Sequence, residues 1–561
     1  MKFLLGFLIP AAMAVAGIVL LVTWAGTGPA YAVRARLPGQ DGVPPPAAVR
    51  PPQRPQPGEP VCEPHPAPIR PSKITAAWPW FRGPDGDAIS KETIRLARRW
   101  PASGPPRLWT VPLGEGFAAA AIEGGCVYVL DHVHDSPIDL LRGLADEDRS
   151  RLADALAPIS PGDVGKLRGL VRSLLEHAPQ AAAEASAQDW PAKYAALEQD
   201  LAALLLDRRD DLLRALRQNT LDDIDRSADT MRCLSLDTGG EIWRNGYPVV
   251  IPSHHGMSRT VPAVIGNRVV SLGPMCHVAC WDTATGKALW LLDLVLDYGA
   301  TVPPWYAGQC PLIDVKTDRL ILAPGGKALV MAVDYRTGKV LWQSPNPRGW
   351  TMTHVSVVPA ELAGRRMYVY CGKGGVAGIA ADTGELLWDT TEWQIGTATC
   401  PSPVVVGPGR IFFSGGYNVG SLMLQLQQEA GRIVPETLFR LTAKQFGSEQ
   451  QTPIFWRGNL YGVRQKDQQL VCLDLEGREL WNSGREKFGS APYLIADGLI
   501  YVLDDNGVLT MAEAAAAGYH RLARAEVLDG GVTSWGPMAL AGGRLIVRDL
   551  TRMICLDVAE H

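Results

Sequence analysis

The chain lacks an excess of charge of either sign, since 54 lysine and arginine side chains face 58 aspartates and glutamates for a net charge of −4. Without a basic excess there is no electrostatic footprint for a phosphate backbone, so no nucleic acid is expected as a partner. The common catalytic signatures are missing too. There is no G-x-S-x-G nucleophile elbow, no Walker phosphate loop, no H-E-x-x-H zinc helix and no Rossmann fingerprint. The ten cysteines never fall into C-x-x-C or C-x-x-C-H, which removes the simplest thiol-metal and haem-attachment motifs.

What the 561 residues do have is turn chemistry, with 58 glycines and 44 prolines in a chain that is 47% hydrophobic. Length alone does not set the domain count, because closed all-β architectures run long as single units. Lys2 is followed by an apolar run from Phe3 to Val22, broken only by Pro10, and then by the small-x-small sequence Ala30-Tyr31-Ala32. Residues 1–32 read equally as a cleaved signal peptide or as a retained transmembrane anchor. No cysteine lies near residues 25 to 35 to carry a lipid. Residues 33–77 are proline-dominated, as at Pro44-Pro45-Pro46 and Pro51-Pro52, and read as a semi-rigid linker. The folded unit is expected over 78–561.

One pattern recurs through that unit: a short strand, a second strand, an Asp, a tight turn with Gly, and an aliphatic-Trp ending. It reads Asp237, Gly239, Trp243; then Asp282, Gly286, Trp290; Asp334, Gly338, Trp342; Asp382, Gly384, Trp388; and Asp474, Gly477, Trp481. The spacing of roughly 40 to 52 residues is that of a four-stranded propeller blade. Asp accepts hydrogen bonds from turn amides and Gly takes the positive φ, which closes the last hairpin of each blade. The Trp is expected to pack between neighbouring blades. Eight opening strands, from Gly125–Val129 to Gly543–Val547, give eight blades, with the Trp lost in the fifth and seventh. Blade eight ends at Val558 without its outer strand, and Arg107–Val111 is an outer strand without a blade, so joining the two closes the ring. Cys233, Cys280, Cys472 and Cys555 recur just before the turn Asp and read as core-strand residues; Cys276, His277 and Cys280 read as packing rather than as a metal site. Within blade one, residues 135–228 carry helical spacing rich in Ala, Leu and Arg, and are expected to form helices that decorate the disc or dock a partner. The fold class is therefore all-β, an eight-bladed propeller with a helical insertion in the first blade.

The repeat resembles the PQQ-like (pyrroloquinoline-quinone repeat) β-propeller family, as seen in BamB-like bacterial envelope proteins. The lead-in Trp78-Pro79-Trp80-Phe81-Arg82-Gly83-Pro84-Asp85-Gly86-Asp87 is similar to the segment that opens many such proteins in planctomycete-type bacteria. The resemblance implies a periplasmic or extracytoplasmic location, protein partners in the cell envelope, membrane contact through the N-terminal segment if it is not cleaved, and a non-catalytic role as an interaction scaffold. It also implies an alternative, a quinone-dependent alcohol or sugar dehydrogenase with pyrroloquinoline quinone and calcium. Quinoproteins of that kind carry an adjacent Cys-Cys pair, and none occurs here. A third reading is a carbohydrate- or peptide-binding module.

Loops before the opening strands converge on the axis of a propeller. They carry His254, His255, Arg259, Trp305, Tyr306, Gln309, His354, Glu449, Gln450 and Trp535, a polar and aromatic funnel for a small ligand or peptide. His254, His255, His354 and Glu449 would bind a metal if they met, but no spacing within one element fixes such a geometry, and the plainer expectation is a channel lining without catalytic residues or metal. The run Gly372-Lys373-Gly374-Gly375 reads as a hairpin turn rather than a phosphate loop.

Overall fold

A computed structural model describes residues 54–62, 69–134, 227–249, 258–398, 400–531 and 533–561. These residues form eight antiparallel sheets of four strands each. Blade one takes its strands from residues 121–134 and 227–249, and blades two to seven occupy 263–293, 312–343, 358–390, 404–441, 454–482 and 493–526. Blade eight takes three strands from 539–557 and its outer strand from Arg107–Pro112, which pairs with Arg552–Asp557 so that Trp109 faces Cys555. Closure thus joins the two ends of the propeller, and sheet edges are left only at the inner and outer strands of the blades.

The segments read as opening strands are the second strand of each blade. A shorter inner strand precedes each one, such as Ala121–Glu123 before Cys126–His134. Residues 135–226, which hold nearly all of the expected helical insertion, lie outside the described residues, as do the N-terminal apolar segment, His254 and His255. Around the insertion, the strands Cys126–His134 and Ser227–Ser235 pair in continuous register to the His134–Ser227 pair. Lys373 and Gly374 form the two-residue turn between Gly372 and Gly375, which face each other in the ladder. Part of the proline-rich stretch lies on blade one, where Val61 bridges Arg244 and the Ser72 amide donates to the Gly125 carbonyl.

The turn motif works between blades rather than within them. Trp243 Nε1 donates to the Thr283 carbonyl of the next blade at 2.9 Å, and Trp290 Nε1 to that of Tyr335 at 3.0 Å. Each indole lies flat on the next turn glycine, so that a methyl at Gly286 would approach Trp243 to 2.6 Å and one at Gly338 would approach Trp290 to 2.9 Å. These glycines therefore answer two demands at once, a φ near +70° and a bare face for the ring. In blade five, whose outer strand is Arg432–Leu441, Phe439 takes the place of the Trp against Gly477. Trp388 has no such turn to meet in blade five and folds back on its own sheet, with Nε1 3.3 Å from the sulfur of Met367.

The lead-in crosses one face of the disc. Trp78 exchanges two backbone hydrogen bonds with Ile122 of blade one, and the Pro79 carbonyl accepts from Val264 of blade two. Three residues on, the Arg82 guanidinium donates to the carbonyls of Thr452 and Pro453 at 2.6 and 3.0 Å, at the entrance to blade six. Blades two and six stand opposite in a ring of eight, and three residues span at most about 11 Å, so this stretch lies over the axis. The segment then pairs with Ile495 of blade seven through Ala88 and Ser90, and Glu92 accepts from the Gly542 amide of blade eight.

Candidate functional site

Register in the blades places one residue of each on the axis, four positions before its inner strand. Phe117, Arg259, Gly308, His354, Cys400, Gln450, Gly489 and Trp535 hold this place in blades one to eight. All but Gly489 line a recess of about 320 Å³, with Trp305, Tyr417 and Glu449 at its sides and Phe81 of the lead-in against it. Two positions nearer the inner strand runs a ladder of hydrogen bonds from blade to blade. The Val261 amide donates to Cys310 Sγ, the Cys310 amide to Ser356 Oγ, the Ser356 amide to Ser402 Oγ and the Ser402 amide to Thr452 Oγ1. This ladder fixes the radius at which the axial side chains stand and ties the site to the rigid ring.

The recess is built on a cation and two rings. The Arg259 guanidinium sits 5.0 Å from the centre of Phe117, which stacks on Trp535 at 5.2 Å. Trp535 Nε1 in turn donates to Asp505 at 2.8 Å. Burial lowers the Arg259 pKa to about 10, so its charge is kept at neutral pH. Burial, with Arg259 nearby, pushes His354 down to about 4. His354 Nε2 lies 2.8 Å from the Tyr306 carbonyl, an acceptor only, so Nε2 carries the proton and Nδ1 faces the Cys400 thiol at 3.6 Å. Burial lifts that thiol to about 12. A neutral imidazole beside a neutral thiol is a weak hydrogen bond and not an activated nucleophile.

Six of the sequence-derived candidates meet here: Arg259, Trp305, His354, Glu449, Gln450 and Trp535. Tyr306 is buried and serves through its backbone carbonyl, while its neighbour Trp305 and Tyr306 itself both take left-handed φ values, 61° and 69°. Gln309 is fully buried and staples its own blade by bonding both ways to the backbone of Ala323. Sequence reasoning missed Phe117, Cys400, Tyr417 and Phe81. The constant offset from the inner strand would have found Phe117 and Cys400. Among the described residues, no group of three or more His, Cys, Asp and Glu is placed to hold a metal, and no helix is long and apolar enough to cross a membrane.

Residues 227–483 match the family described as outer membrane protein assembly factor BamB. No curated protein matches the chain. Among solved structures, BamB from Moraxella catarrhalis is 16% identical, covering 59% of this chain and 94% of its own, with a TM-score of 0.42. The computationally designed Ika8 protein is 11% identical, covering 59% of this chain and 93% of its own, with a TM-score of 0.41. The quinohemoprotein alcohol dehydrogenase of Comamonas testosteroni is 13% identical, covering 86% of this chain and 81% of its own, with a TM-score of 0.36. Residues 227–483, within a ring of eight four-stranded blades of which several are joined by Trp-on-Gly contacts, are thus similar to the PQQ-like β-propeller family.

Proposed function

We propose that the protein is a non-catalytic propeller scaffold that binds protein partners at the extracytoplasmic face of a bacterial membrane, with a role in envelope protein assembly. The observation that carries this reading is the state of the axial groups. His354 stays neutral with Nε2 committed to a backbone carbonyl, and the Cys400 thiol stays protonated, so the recess holds neither an activated nucleophile nor a histidine poised near neutral pH. The lead-in also occupies one end of the axis through Arg82, narrowing access to the site. A rigid ring with loops at both faces offers partners a broad surface instead.

A quinone cofactor is a poor fit to the residues present. The chain has no adjacent cysteine pair to stack on such a ring, and the described carboxylates do not cluster as a cation cage. We therefore derive no step through a quinone. The test is calorimetric titration of the full chain with pyrroloquinoline quinone and calcium, beside a dye-linked assay on simple alcohols and sugars. The scaffold reading expects no binding at about 100 µM and no dye reduction; a Kd below about 10 µM with oxidation of any of these substrates would overturn it.

A further inference from the structure

The eight blades are pseudo-equivalent, and the register says which residue of each inner strand faces sideways along the ring. Starting from the aromatic of an outer strand and crossing the sheet, one row runs Trp290, Cys280, Val270, Ala263 in blade two. The residue after Ala263 is Val264, whose amide meets the lead-in. The same construction gives Ile122 in blade one and, started from Ala523 where the outer strand has no aromatic, Ile495 in blade seven, and both of these also pair with the lead-in backbone. In blades three to six it gives Ile313, Pro359, Val405 and Phe455. These four residues all line a second recess, of about 400 Å³, flanked by the lead-in residues Trp80 to Asp87.

We infer that this recess is a docking groove for an extended apolar peptide segment of a partner protein, held as a strand against the inner edges of blades three to five. The lead-in is the template, because it already makes this contact on the equivalent edges of blades one, two and seven, and the groove continues directly from it. Consecutive residues Trp78 and Pro79 meet consecutive blades, so a segment of about five residues would span the groove. By the same equivalence Val405 would turn an amide and a carbonyl to the groove and Pro359 a carbonyl only, while Ile313 is 1% exposed. The walls are apolar, with Val357, Val358 and Phe455 facing in and Val315 58% exposed at the lip. The charges buried in its lining are already satisfied, Asp314 by Arg366 through two bonds of 2.8 Å and by Tyr368 at 2.7 Å, and Arg82 by four backbone carbonyls, which leaves the groove no strong preference for a charged residue.

This rests on the scaffold reading and names the chemistry of its partner. The experiment is fluorescence anisotropy of the full chain with a dye-labelled synthetic peptide of the sequence of residues 77–83, Ala-Trp-Pro-Trp-Phe-Arg-Gly. Binding is expected with a Kd on the order of 10 µM. Val315→Glu, at the exposed lip, and Val405→Glu, deeper in, should each weaken it by about tenfold, while Val434→Glu on the outer strand of blade five should leave it unchanged. N-methylation of two backbone amides of the peptide should weaken it to a similar extent, which side-chain docking alone would not do. Absence of binding at about 500 µM, or binding indifferent to Val315→Glu or to N-methylation, would overturn the inference. So would a concentration-dependent dimer of the unliganded chain that Val315→Glu dissolves, since the groove would then belong to a second copy. Failure here leaves the scaffold reading intact, whereas quinone binding on the axis would remove that reading without touching the groove.

Discussion

Trp109, from the first strand of the propeller, lies across Gly239 in the turn of blade one, with its Nε1 2.9 Å from the Leu236 carbonyl. This contact is the joint between blades eight and one, made by the same strand whose pairing with Arg552–Asp557 closes the ring. A methyl at Gly239 would sit 2.7 Å from the indole, at a φ of +69°. Gly239→Ala is therefore expected to cost about 3 kcal/mol, combining left-handed strain with a displaced ring. Gly266→Ala is the control, with φ +55° and no atom within 4 Å of its added methyl, and should cost about 1 kcal/mol. Urea unfolding of the two variants measures both, and equal losses would show that the ring contact adds nothing.

The blade count, the closing strand and the turn glycines were legible because each rests on chemistry within a few residues. Asp282, for instance, accepts from the Ala284 and Thr285 amides at 3.2 and 2.9 Å, a turn that the sequence states outright. The path of the lead-in was not legible, since Arg82 finds its acceptors 370 and 371 residues away, and no local pattern encodes a carbonyl at Thr452. The axial site was half legible. Polar and aromatic residues such as His354 and Trp535 drew attention by type, whereas Phe117 and Cys400 hold equivalent places but look like core residues in the sequence.

The Arg82 guanidinium bonds to four carbonyls, those of Thr452 and Pro453 across the ring and those of Gly86 and Asp87 within its own loop. Burial lowers its pKa to about 10, yet the charge survives because the oxygens around it replace water. Arg82→Met removes all four donors and leaves buried carbonyls behind, so a loss of about 3 kcal/mol or more is expected. Hydrogen exchange localises the effect. The amides of Trp78, Ser90 and Ile495, which hold the lead-in to the disc, should exchange faster in the variant than the amides of blade four. Uniform acceleration through all blades would show instead that the lead-in and the ring unfold as one unit.

The buried imidazole of His354 links stability to pH. Its folded pKa of about 4 lies below the ordinary 6.5, because burial and the Arg259 charge both disfavour the protonated ring. Between those values the unfolded chain binds a proton that the folded one refuses, so folding stability rises with pH through this window and is flat above it. The contribution is fully present above pH 6.5 and is lost as pH falls toward 4, by about 3 kcal/mol at most. His354→Gln keeps a side chain able to reach the Tyr306 carbonyl but cannot take up the proton. The variant should be less stable than the parent at pH 7.5 and should lose less stability between pH 6.5 and 4.5, as followed by urea midpoints at each pH. Parallel pH profiles for the two proteins would mean that His354 is solvated or already charged in the fold, and that the neutral imidazole on which the scaffold reading depends is not its true state.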